Sequence, residues 1–136
     1  MRKKLIIYTD GGARGNPGPA AIGIVITDEA DNVVYEFSGT IGHATNNVAE
    51  YRALIHGLEQ AARLQADEAE VRLDSELLQR QMNGEYRVRN RNLIPLAVRA
   101  RQLMNSFHRC RITRIPRREN ARADKLVNQA LNETAS

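Results

Sequence analysis

The sequence has no tryptophan, two phenylalanines, four tyrosines and a single cysteine. With only Cys110 present, an internal disulfide is impossible, and a reducing compartment such as the cytoplasm fits. No segment approaches the roughly 18–20 consecutive apolar residues that a membrane-crossing helix needs. The opening "MRKKLIIYTD" is basic and then apolar, but the apolar stretch is too short for a signal sequence and ends in an acid. Linkers, internal repeats and low-complexity tracts are missing as well, and 136 residues suit one domain spanning 1–136.

Negative charge is scarce in one half of the chain. From Arg80 to Arg122 there are twelve arginines, opposed only by Glu85 and Glu119. From Met1 to Gln79 there are seven basic residues against twelve acidic ones. The net charge of +4 allows an anionic partner, and the uneven distribution gives one region phosphate-meeting chemistry and another a store of carboxylates. A merely solvated basic face is the plainer alternative for the arginines. Hydrophobic residues at 42% are enough for a folded core.

Short β-branched runs predict strands over Lys4–Thr9, Ala20–Thr27 and Val33–Ile41, the last two joined by the turn-forming "DEADN". From Asn47 the period changes. Val48, Tyr51, Leu54, Ile55, Leu58 and Ala62 predict an amphipathic helix to about Leu64. Beyond it come a strand over Ala69–Leu73, a short helix stopped at Asn83-Gly84, and a helix over Asn92–Phe107 with Pro95 in its first turn. A strand over Cys110–Ile115 and a helix over Ala121–Asn132 complete the order β-β-β-α-β-α-α-β-α. Hairpins followed by β-α alternation imply an α/β fold with a mixed sheet and flanking helices.

Four acids stand out, each with an ordinary explanation beside a chemical one. Asp10 ends the first predicted strand and precedes "GGARGNPGP", so it is either an Asp-Gly turn residue or an acid held at a strand end. Glu50 completes a capping box with Asn47, although it borders the apolar stripe. Asp74 sits at an N-cap position after a strand. Asp124 lies at the edge of the last helix's apolar stripe, where surface acids are common. If the strands carrying Asp10 and Asp74 are parallel neighbours, both acids reach the same sheet edge, where open α/β sheets place their sites. Two carboxylates about 4 Å apart repel by roughly 4 kcal/mol at an effective dielectric near 20, so such a cluster calls for protons or cations. All-oxygen ligands, without paired His or clustered Cys, point to Mg²⁺ or Mn²⁺.

The stretches "YTDGGARGNPGPAAIGIVI", "TNNVAEYRALIHGL", "RLDSELLQRQMNGEY" and "RRENARADKLVNQAL" together resemble the ribonuclease H type 1 family, in matching order and from about Lys4 to Leu131. The likeness is to the compact bacterial and archaeal form. It implies a ribonuclease H-like fold: a five-stranded mixed sheet, three strands antiparallel and then parallel ones, flanked by helices. It implies an endonuclease that hydrolyses the RNA strand of RNA/DNA hybrids with two Mg²⁺ or Mn²⁺ ions, leaving 5′-phosphate and 3′-hydroxyl ends. The family's metal-binding quartet falls on Asp10, Glu50, Asp74 and Asp124, with Asp10 expected to bridge both ions. By the same resemblance Gly11, Gly12, Asn16, Thr45, Asn46, Ser75 and Glu76 lie near the nucleic acid, with Gly11 and Gly12 clearing space for its backbone. Arg87, Arg89 and Arg91 alternate, so an extended segment would turn them to one side to meet phosphates, a solvated loop being the plainer reading. Two departures count. The Trp-containing basic insertion of longer members is missing, and the loop "IPRRENARAD" lacks the family's His, leaving Arg117, Arg118 or Glu119 as substitutes. A cytoplasmic monomer acting on the hybrid is expected, the alternative being a nucleic-acid-binding protein of the same fold with little or no catalysis.

Overall fold

The computed structural model describes residues 2–135. Alternation along the first strand, β1 (Lys4–Ala13), buries Leu5, Ile7 and Thr9 on one side and turns Ile6, Tyr8 and Asp10 to the other. Next come β2 (Gly18–Thr27), β3 (Val33–Ala44), the long helix α1 (Asn46–Arg63) and β4 (Glu68–Leu73). Helices α2 (Glu76–Met82) and α3 (Ile94–Asn105), strand β5 (Arg109–Arg114), a 3₁₀ turn at Arg117–Asn120 and helix α4 (Ala121–Ala135) complete the chain. The element order is the expected one. The sheet runs β3-β2-β1-β4-β5, antiparallel from β3 to β1 and parallel from β1 to β5.

Strand β2 is buried on both faces, which explains its unbroken apolar run. Ile22, Ile24 and Ile26 join Leu5, Ile7, Leu54, Leu58 and Val71 in the main core beneath α1 and α3. On the opposite face Ala21 packs with Val127, Ala130 and Leu131 of α4. The buried Tyr51 hydroxyl donates to Gln81 Oε1 at 2.6 Å, fixing α2 against α1.

Three boundaries differ from the sequence-based expectation, and each bears on the acids. Strand β1 does not stop at Asp10. It pairs with β2 as far as Ala13↔Ala20, so Arg14–Pro17 alone forms the hairpin loop and Asp10 is not a turn residue. Helix α1 is capped by Thr45, whose side chain accepts from the Val48 N–H, so the Asn47–Glu50 capping box does not form. Helix α2 is capped by Ser75, whose hydroxyl accepts from the Leu78 N–H, and Asp74 is thereby relieved of the capping role.

The rim of α1 holds a titratable contact outside the acid cluster. His56 Nε2 lies 2.8 Å from the Tyr35 hydroxyl of β3, and its ring packs on Tyr35 and Phe37. Burial lowers the His56 pKa, opposed by Glu59 and assisted by Arg63. A folded-state pKa depressed below the ordinary 6.5 gives stability that is present above that pH and lost as pH falls through the folded value. His56→Gln is therefore expected to lose less thermal stability than the wild type between pH 7.5 and pH 5. Parallel losses in the two melting series would assign the acid sensitivity elsewhere.

Candidate active site

Each acid reaches the site for a local reason. The last parallel pair between β1 and β4 is Tyr8↔Arg72. Two residues on, Asp10 and Asp74 stand level where these strands part. Asp10 pairs with Gly23 of β2, and a Cβ built on Gly23 would come within 2.3 Å of the Ala123 carbonyl oxygen. The missing side chain thus lets the first turn of α4 settle onto the sheet beside Asp10, which delivers Asp124. Gly11 does the same on the other face. A Cβ there would meet the Ala49 carbonyl carbon and oxygen at 2.3 Å and the Glu50 nitrogen at 2.6 Å. Helix α1 consequently abuts β1 at Glu50. The close approach that Gly11 permits is to this helix, where the sequence suggested a ligand backbone.

The four carboxyls line one open cleft of about 330 Å³, together with Asn46 and Arg117. The electrostatic strain falls on Asp10, whose pKa is pushed up from 3.8 to about 8. Burial is the largest cause, followed by the negative charges of Asp74 and Asp124, a hydrogen bond to Asp124 and the charge of Glu50. Glu50 is also raised, first by burial and further by Asp74, against a hydrogen bond with Ser75 that favours its ionised form. Among the described residues Arg117 alone forms an ion pair with one of the four acids, Nη2 to Asp124 Oδ1 at 3.6 Å, with the guanidinium well exposed. Asn128 Nδ2 donates to the Asp124 carbonyl at 3.1 Å and to its Oδ2 at 3.4 Å.

These residues suit a hard divalent cation by their chemistry. The donors are all carboxylate oxygens, and Asp10 is pushed towards its neutral form first by burial and then by the negative charge of its neighbours. As the side chains stand, no three His, Cys, Asp or Glu among the described residues are gathered around one ligation point.

The other residues singled out in the sequence take up two different positions. Asn46 Oδ1 accepts from the Ala13 N–H at 2.8 Å, and the Asn46 N–H donates to Asn16 Oδ1 at 3.0 Å. Asn16 and Asn46 therefore tie the hairpin loop to the start of α1, which Thr45 caps, and this rim borders the acid cleft. Gly12 also lines the cleft. Glu76 opens α2, exposed and paired with Arg80 at 3.0 Å. Arg87, Arg89 and Arg91 are exposed on the segment before α3, while Val88 turns towards the core. Tyr86 is 47% exposed and lies under the Arg80 guanidinium, 5.4 Å from ring centroid to Cζ, so it is not packed inward.

One residue escaped the sequence reading. Asn120, 1% exposed, donates its Nδ2 to the Thr9 carbonyl at 2.9 Å and to Asp74 Oδ2 at 3.2 Å. It sits between two arginine-bearing stretches in "RRENARAD", and its only signal is a place one helical turn before Asp124.

The reverse transcriptase-like family profile matches residues 8–130. Ribonuclease HI of Halobacterium salinarum is 47% identical over 126 residues, covering 93% of this chain and 63% of the relative. A bifunctional protein of Mycobacterium tuberculosis is 46% identical over 133 residues, covering 97% of this chain and 36% of the relative. The chain thus spans between about a third and two thirds of the length of these sequence relatives. Among solved structures, RNase H1 of Halobacterium salinarum superposes with a TM-score of 0.93 at 45% identity, covering 96% of this chain and 98% of that one. LC11-RNase H1, crystallised in complex with an RNA/DNA hybrid, gives 0.91 at 48% identity, covering 97% and 99%.

Proposed function

The chain belongs to the ribonuclease H type 1 family, and from that premise we propose that it is an endonuclease cutting the RNA strand of RNA/DNA hybrids. The observation that carries this reading is the convergence of Asp10, Glu50, Asp74 and Asp124 on one cleft, with Asp10 driven to a pKa of about 8 by burial and by the other three. A protein that only binds nucleic acid gains nothing from acids that repel its ligand. The hybrid as substrate is supported by the LC11-RNase H1 complex.

In this reading Asp10, Glu50, Asp74 and Asp124 would together hold two Mg²⁺ or Mn²⁺ ions. Such ions, when bound, supply a water acidified for attack at phosphorus and balance charge on the leaving 3′-oxygen. The chain's own groups do the rest. Asp10 would have to be ionised to serve as a ligand, against the burial and neighbouring charge that raise its pKa, and Ser75 holds Glu50 through the hydrogen bond that favours its ionised form. Asn16, Thr45 and Asn46 form a firm rim suited to the 2′-hydroxyls and base edges of an A-like minor groove. Gly11 and Gly12 border the RNA strand, and Glu76 stands at the groove's edge. Arg87 and Arg89 meet DNA phosphates, partly replacing the basic insertion that the chain lacks. Arg117, beside Asp124, takes the loop position where other members carry His. Among the described residues no helix is long and apolar enough to cross a membrane, and we place the enzyme in the cytoplasm as a monomer whose acids all come from one chain.

End-labelled RNA annealed to DNA, incubated with the protein in Mg²⁺ or Mn²⁺, tests the reading. Internal cuts leaving 5′-phosphate ends are expected, with single-stranded RNA spared and chelator abolishing the reaction. Tight hybrid binding without cutting in either metal would instead make the protein a binding module.

A further inference from the structure

We propose that Asn120 is a positioning residue for the cation site, its carboxamide bridging the β1 main chain beside Asp10 to the carboxylate of Asp74. The inference rests on the function proposed above and adds a residue that lies outside the quartet.

The argument begins with the sheet. Parallel pairing of β1 with β4 ends at Tyr8↔Arg72, and the next carbonyl of β1, that of Thr9, has lost its ladder partner. An unpaired main-chain acceptor in the interior is unfavourable, so something must replace the strand. Asn120 Nδ2 does so at 2.9 Å. The same nitrogen donates to Asp74 Oδ2 at 3.2 Å. One amide group therefore fills the gap where the strands separate, touching the residue before Asp10 on one side and Asp74 on the other.

The amide's orientation is fixed by chemistry. Both neighbours are acceptors, and a flipped carboxamide would press Oδ1 against a carbonyl and a carboxylate. The native orientation satisfies both acceptors with one nitrogen and leaves Oδ1 buried without a partner. Native proteins seldom tolerate such an orphan. A residue chosen only to fill space would be apolar, like its neighbour Ala123. The donor to Asp74 is what an apolar residue lacks.

Asn120 also belongs to the 3₁₀ turn that leads directly into α4. Its two bonds therefore anchor the start of the helix that carries Asp124 to the strand ends that carry Asp10 and Asp74. Groups that hold a carboxylate ligand from outside the coordination shell typically matter ~10- to 100-fold in metal affinity or activity.

Mn²⁺ titration by calorimetry, on the full chain without nucleic acid, reads this role apart from turnover. Asn120→Ala is expected to weaken Mn²⁺ binding ~10-fold or more and to lower kcat by a similar factor, with KM for the hybrid changed less than about threefold. Asn120→Asp keeps the shape and replaces the donor with oxygen, and it should weaken Mn²⁺ at least as much. Leu103→Ala in α3, a core truncation away from the cleft, controls for lost stability and should leave Mn²⁺ affinity at the wild-type value. Should Asn120→Ala and Asn120→Asp bind Mn²⁺ as the wild type does, while the wild type cuts the hybrid, the positioning role is wrong and the function stands. Weakening of equal size in Leu103→Ala would reduce Asn120 to a structural residue. A wild type that neither binds Mn²⁺ nor cuts would overturn the function and this inference with it.

Discussion

Asp10→Asn is expected to abolish cleavage while making the metal-free protein more stable. The loss of activity should reach ~1000-fold or more, since in the proposed reading Asp10 is a metal ligand, and losing one forfeits several kcal/mol of charge balance in the transition state. The gain in stability follows from linkage. Asp10 has a folded pKa of about 8 against an ordinary 3.8. A raised pKa gives stability that is complete below the unfolded value and is lost as pH rises through the folded one. At pH 7 the wild type has lost most of it, because the unfolded chain ionises there and the folded site resists. Roughly three pH units at 1.36 kcal/mol each set an upper limit of about 4 kcal/mol. Residual solvent at this partly open cleft reduces the expectation to about 2 kcal/mol, or roughly 4–10 °C in melting temperature.

Asparagine keeps the shape and cannot ionise in either state. The advantage of Asp10→Asn should therefore be absent near pH 4, grow through pH 6 and level off above pH 8. Saturating Mg²⁺ should shrink or reverse it, since a ligand at 100 times its Kd adds about 2.7 kcal/mol to the folded state that binds it. Thermal melts at four pH values, with chelator and with Mg²⁺, measure all three features. A variant less stable than the wild type at pH 8 in chelator would show that the carboxylates are not crowded as described.

The element order and the mixed sheet were legible, and the four acids could be singled out, because each leaves a local mark. Period-two and period-3.6 patterns mark strands and helices, and acids at element ends stand out against apolar runs. Distant contacts leave no such mark, and they decided the caps. Asn47–Glu50 reads as a capping box, but Asn46 is held by Ala13 and Asn16, thirty or more residues away, and the cap is Thr45, two residues earlier. Asp74 reads as an N-cap, and Ser75 takes that role. Both local explanations fail, so helix capping does not account for Glu50 or Asp74. Asn120 was illegible for the same reason. Its partners, Thr9 and Asp74, are 111 and 46 residues away.

Gly11→Ala tests how the two faces of the sheet share one site. Gly11 has no left-handed φ, so alanine suits its backbone and the whole penalty comes from space. The added methyl would stand 2.3 Å from the Ala49 carbonyl carbon and oxygen and 2.6 Å from the Glu50 nitrogen. All three are main-chain atoms of a helix, which cannot rotate aside as a side chain does. Relief requires α1 and β1 to part by about an ångström, at a cost of about 3 kcal/mol. The same displacement separates Asp10 from Glu50, and a shift of that size is worth ~100-fold in rate. Gly12→Ala supplies the contrast, because its methyl would meet Val127 Cγ1 at 3.7 Å and Asn46 Oδ1 at 3.9 Å, ordinary contact distances. That variant should stay within about 1 kcal/mol of the wild type. Any effect it has on KM would then report nucleic acid at the cleft rather than disturbed packing. Denaturant melts and hybrid cleavage of the pair decide the matter. Equal stability would mean that α1 yields at no cost, and Gly11 would then owe its place to the RNA strand and not to the helix.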